Sequence, residues 1–151
     1  MKNRLMLMAG QTRRPGWKTL DSRGGVDFLC RIPPLPEAVR RDSWDEIELI
    51  HGIGQLYPWE AETLLRDIRD VLRPGALLVL EQPNFDIICG SKSEAWIYGD
   101  PKPRDPLHMV KWGYSPYSLT RLLAFCGFTR IETQPAQHHV PARDFRIEAR
   151  V

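Results

Sequence analysis

His51 lies in "LIHGIGQL", residues 49–56, directly after apolar residues that read as a buried strand. It therefore stands at a strand's carboxyl end, where open α/β sheets bind their ligands. An imidazole there can take a proton from a substrate hydroxyl or amine; the same ring could instead bond a neighbouring loop. His108, Trp112 and Tyr114 share the stretch "DPLHMVKWGY". Such a cluster could line an acceptor pocket, as aromatics do in small-molecule sites, or anchor its segment to the sheet. In "RLMLMAGQTRRPGWKTLDS", residues 4–22, an apolar strand enters a turn and a second short strand ends on Asp21. That is the outline of a nucleotide-binding opening, although the turn carries Met8 and Ala9 before its single Gly10. Gly10 and Gly16 serve equally as turn glycines, and Asp21 as a plain strand-end acid. His138, His139, Cys126 and Asp144 could be imagined around a metal, but adjacent residues of an extended segment point to opposite sides, so no metal centre is assigned.

The elements that must carry these groups fit one domain, residues 1–151. Apolar residues are 42% and charged residues 26%, a globular composition. A net charge of +2 without any basic block gives no reason to expect nucleic acid or a membrane surface as partner. The pairs Arg13-Arg14 and Arg40-Arg41 read as solvated surface. The longest purely apolar run, Ala76 to Leu80, is far short of the ~20 residues of a membrane span. Met1 reads as a true start, since the first strand begins almost at once. The three cysteines, Cys30, Cys89 and Cys126, form neither a disulfide framework nor a CxxC pair, and a cytoplasmic location is expected.

Strands are predicted at Leu5–Ala9, Trp17–Leu20, Val26–Ile32 and around Ile47–Ile50. Prolines 33, 34 and 36 impose a loop after the third, and Glu37–Arg41 can form one helical turn. In "EAETLLRDIRDVL" the residues Ala61, Leu64, Leu65, Ile68, Val71 and Leu72 recur at spacings of three and four, one face of a helix. Arg73 closes it and Pro74-Gly75 should stop it. "ALLVLEQPN" then reads as a central strand covered on both faces. Residues 84–114 read as irregular, a lid or binding loop. A second helix starts at Ser115, a good N-cap followed by Pro116, and stops at Gly127. Thr129–Thr133 and Asp144–Val151 follow, joined too closely for a crossover helix, hence antiparallel.

The ordered set resembles the small class I S-adenosylmethionine-dependent methyltransferases, in particular short bacterial and phage proteins near glycan genes. The resemblance rests on "DIRDVLRPGALLVLEQPN" (67–84), "WGYSPYSLTRLLAFCGFTRIE" (112–132), "GWKTLD" (16–21) and "SWDEIELIHG" (43–52), which cover nearly the whole chain in order. It implies a Rossmann-like α/β fold with a seven-stranded, mostly parallel sheet and an antiparallel C-terminal edge strand. It implies S-adenosylmethionine across the carboxyl ends of the first strands. Met8, Ala9 and Gly10 would then lie against its amino-acid end, Asp21 on the ribose and His51 beside it. A carboxylate suits that place, since it can accept from both ribose hydroxyls. The acceptor would be a small molecule or a glycan, near His51, His108, Trp112 and Tyr114.

Three positions depart from the family's pattern. Met8 stands where its first glycine lets the cofactor approach the backbone. Arg31 stands near the end of the third strand, where an acid is usual, with Asp27 four residues earlier. Gly54 and Gln55 replace an acid and a second histidine after His51. A catalytically silent module that binds a partner is therefore the competing expectation. Methyl transfer mainly needs alignment of donor and acceptor, so the lack of a triad or carboxylate pair fits it and disfavours hydrolases and glycosidases. A dinucleotide oxidoreductase is disfavoured because GxGxxG is missing.

Overall fold

The computed structural model describes residues 2–91 and 93–151. Seven strands are joined in one sheet: β1 (Arg4–Leu7), β2 (Trp17–Asp21), β3 (Phe28–Leu29), β4 (Trp44–Ile50), β5 (Leu72–Pro83), β6 (Thr129–Pro135) and β7 (Asp144–Arg150). Their spatial order is β3-β2-β1-β4-β5-β7-β6. β1 is parallel to β2 and β4, and β4 to β5; β7 is inserted antiparallel between β5 and β6. The helices are α1 (Glu37–Arg40), α2 (Pro58–Val71), α3 (Phe85–Ile88), α4 (Glu94–Tyr98) and α5 (Pro116–Phe125).

Period-two alternation splits the sheet into two unlike faces. Leu5, Leu7, Ile47, Leu49, Leu78, Leu80 and Ile147 join Leu64, Leu65 and Ile68 of α2 and Leu119 and Leu123 of α5 in one core. The intervening residues mix apolar side chains, Met6 and Val79, with charged ones. Arg4 pairs with Glu46 at 3.2 Å, Arg14 with Glu48, and Arg146 with Glu148 at 2.9 Å. The guanidinium of Arg14 also lies 4.3 Å from the Trp17 ring centre, so Arg14 is half-buried, not free surface as the sequence suggested. No helix is described between β1 and β2 or between β2 and β3. Strict helix–strand alternation therefore fails there, and the ion pairs occupy the second face.

Several bounds differ from expectation for local reasons. β1 stops at Leu7, because Met8 turns at φ 51°. β3 shrinks to two residues. Pro74-Gly75 does not end α2, which stops at Val71 as Leu72 becomes extended. Trp44 pairs with Leu72 and Glu46 with Leu77, so residues 73–76 bulge out of β5. The stretch 84–114, expected to be irregular, holds α3, α4 and a short 3-10 turn, Pro106–His108. Ser115 caps α5 as expected, accepting from the Ser118 amide at 3.1 Å.

Candidate active site

The carboxyl rim of β1, β2 and β4 frames a hollow of about 120 Å³ bordered by Met8, Leu20, Asp21, Ile32, Leu56 and His51. Asp21 is 3% exposed at the end of β2. Its Oδ2 accepts from the Gly10 amide at 2.7 Å and its Oδ1 from the Arg23 amide at 2.9 Å. Burial alone would push this carboxyl up; the two amides, with the Arg23 side chain, outweigh it and hold it below the usual range. Gly10 does not border the hollow; it braces Asp21. Arg23, Arg31 and Lys111 border the same space. Asp27, the acid considered for β3, is turned to Thr19, accepting from its amide at 2.7 Å and its hydroxyl at 2.9 Å.

A second hollow, of about 200 Å³, lies beside the first, and His51 and Gln55 border both. It gathers the three residues singled out between 105 and 114: His108, Trp112 and Tyr114. They differ in role. Trp112 is 51% exposed, whereas Tyr114 is 4% exposed and belongs to the core. Burial, with a lesser contribution from Cys126, pushes the Tyr114 phenol up to about 12. His108 Nδ1 lies 3.2 Å from Asp105 Oδ2. Tyr114 thus anchors the segment, while His108 and Trp112 border the hollow.

His51 follows β4 in the left-handed region, at φ 55°. Non-glycine residues rarely adopt it, and such strain concentrates at functional sites. Its Nε2 lies 2.7 Å from Asp144 Oδ2 at the start of β7. Arg143 binds the same carboxylate, with Nε on Oδ1 and Nη2 on Oδ2 at 3.0 Å. Burial pushes Asp144 up, but the hydrogen bonds from His51 and Arg143 prevail and bring it to about 2. His139 stacks on His51 with ring centres 3.8 Å apart. Burial, then His51, hold His139 below the ordinary imidazole value. The loop bearing His139 is tied down by Glu81, whose carboxylate accepts the amides of Gln137, His138 and His139 at 2.9, 2.7 and 3.1 Å. His51, His139 and Asp144 offer ligand atoms within 4.8 Å of one another, but both Asp144 oxygens are engaged by Arg143, which describes a braced histidine–carboxylate pair.

Met8 borders both the Asp21 hollow and a third, of about 310 Å³, whose lining includes Ala9, Glu48 and His139. Ala9 thus lies away from the Asp21 hollow. The Met8 sulfur rests on Gly52, so near that a Cβ there would lie 2.9 Å from Sδ and also strike Leu49. In sequence Asp144 stands at a strand start and is readable only as a metal ligand; its bond to His51 comes from the fold. Gln82, Trp96 and Arg143, which border the second hollow, gave no recognisable motif.

The sheet order, the acid after β2 and the cleft at the parallel strands' carboxyl ends define the fold of class I S-adenosylmethionine-dependent methyltransferases. Solved structures agree. A methyltransferase from Archaeoglobus fulgidus matches 99% of this chain and 86% of its own at TM-score 0.63 and 15% identity. A possible histamine N-methyltransferase from Thermotoga maritima matches 99% and 82% at 0.66 and 14%. The 1,6-didemethyltoxoflavin-N1-methyltransferase of Burkholderia thailandensis matches 99% and 70% at 0.69 and 17%. The chain spans only 47% of human N-acetylserotonin methyltransferase, another match of the same fold. No protein-family model and no curated protein matches the sequence.

Proposed function

We propose that this chain transfers a methyl group from S-adenosylmethionine to an oxygen or nitrogen of a small molecule. The observation that carries the reading is His51, braced by Asp144, on the wall shared by the two hollows.

The residues beside Asp21 fit the adenosyl half of the donor. Asp21 Oδ2 keeps a lone pair beyond its bond from Gly10 for a ribose hydroxyl, while Oδ1 is also met by the Arg23 side chain, and Leu20, Ile32 and Leu56 give the hollow apolar walls. The methionyl half meets Met8, whose unbranched side chain can bend aside. When bound, the donor supplies an electrophilic methyl on a sulfonium. The chain's own task is to align the acceptor and remove its proton. His51 donates Nε2–H to ionised Asp144, which fixes the tautomer and leaves Nδ1 as the base. When the acceptor's heteroatom exchanges its proton for the methyl group, His51 would take that proton, and the demethylated donor would be the other product. Asp144, kept ionised by its partners, stabilises the imidazolium. His139, held neutral, stacks against that ring without adding a second charge.

The decisive measurement is thermal stability with S-adenosylhomocysteine. At about 100 times its dissociation constant a ligand stabilises by about 2.7 kcal/mol. A clear rise in melting temperature, lost in Asp21→Ala, supports the reading; no rise in the wild-type chain overturns it in favour of a catalytically silent module. Among the described residues no helix is long and apolar enough to cross a membrane.

A further inference from the structure

The second hollow identifies more than a place for an acceptor. Gln82, near the end of β5, is 3% exposed, and its Nε2 has no hydrogen-bond partner among the described residues. A buried amide group without a partner is costly and uncommon in a native protein. It borders this hollow, on the side of β5 that faces the helices. Two indoles border the same space: Trp96 is 47% and Trp112 51% exposed, and the Arg143 guanidinium lies 5.8 Å from the Trp96 ring centre. Ile88 and Val110 complete an apolar surround. The charged groups at the margin are already committed: Arg143 to Asp144, and His108 to Asp105.

We infer that this hollow takes a flat heteroaromatic molecule, seated against Trp96 and Trp112, with one ring nitrogen or carbonyl edge on the carboxamide of Gln82 and a ring hydroxyl or N–H toward His51. The inference rests on the methyltransferase reading for the direction of the reacting edge, and on the hollow's own lining for the ligand class. Indole faces offer stacking to a planar ring. A single buried amide satisfies one polar edge and rejects an analogue lacking it, because the amide is then left unpaired. A saccharide fits poorly: its hydroxyls surround the ring and would be buried against Ile88, Val110 and the indoles without partners. Tyr114, held protonated by burial, adds a hydroxyl without a described partner at the margin.

The test needs no donor. Hydroxyquinoline, with a ring nitrogen and a hydroxyl on a flat bicycle, is titrated into the full chain while tryptophan emission is followed, and methyl glucoside is run beside it. Saturable quenching is expected with hydroxyquinoline and none with the glucoside. Gln82→Leu, which keeps the volume and loses the amide, should weaken binding about tenfold, a 1.4 kcal/mol effect. Trp112→Ala, at a half-exposed position, should weaken it as well. Equal or tighter binding of the glucoside overturns the inference; so does hydroxyquinoline binding indifferent to both variants, or absent from the wild type. Failure of the S-adenosylhomocysteine shift with hydroxyquinoline binding intact would remove the methyltransferase reading and leave this one; the reverse pattern would remove only this one.

Discussion

His51 Nε2 and Asp144 Oδ2 lie 2.7 Å apart although 93 positions separate them in sequence. One residue directly follows β4 and the other begins β7, two strands with β5 between them. A contact of this span requires the antiparallel insertion of β7, which brings its first residue back to the carboxyl rim of the parallel strands.

If the pair acts as a braced base, His51→Ala should lower kcat by about 100-fold or more, assayed well below the melting temperature because the variant also removes a hydrogen bond that holds Asp144 ionised. Asp144→Asn should also lower kcat and alter its pH profile, since the wrong tautomer is then favoured. A transfer rate unmoved by both would assign the pair a purely structural role.

Asp144 also ties stability to acid. Its folded value of about 2 lies below the ordinary value of 3.8. A depressed carboxylate contributes stability that is present above its unfolded value and lost as pH falls through its folded one. The loss is expected between about pH 4 and pH 2 and amounts to about 2 kcal/mol. Urea titrations across that window should show it in the wild type and a flatter profile in Asp144→Asn.

Met8 holds φ 51°. Glycine enters that region freely, so Met8→Gly relieves strain while opening the wall between the donor-side hollow and its neighbour. S-adenosylhomocysteine should bind about tenfold or more tightly, measured by calorimetry. Weaker binding would show that the methionine is a contact and not an obstacle.

Gly52→Ala would set a Cβ 2.9 Å from the Met8 sulfur and against Leu49. Overpacking of this kind costs about 1–3 kcal/mol. Denaturant melts should show it, and Met8→Gly should return part of it, because the crowded sulfur is gone.

Much of this was legible in the residue pattern. The three- and four-spaced apolar run of α2, the Ser115 cap of α5 and the turn before Asp21 fix their elements locally. The hand-off from α2 to β5 was not, since proline and glycine usually stop a helix and here fall in a bulge four residues wide, 73–76. Nor was the charged second face visible: Arg4, Glu46, Glu48 and Arg146 are scattered in sequence, and only the strand register brings them to one face. At the site, Asp21, His51 and Trp112 stand out by type and position. Gln82 does not, because its meaning lies in what it lacks, a partner, and that is a property of packing.

The alternation of β5 gives its last residues unequal duties. Glu81 points to the charged face and gathers the amides of the histidine loop; Gln82 points the other way, into the indole-lined hollow. Loss of a single residue between 77 and 82 would exchange them, placing an acid among the indoles and freeing the loop that carries His139. The same deletion within 73–76 would be taken up as slack. Tolerance of length changes along this one strand should therefore switch from permissive to forbidding within a few positions.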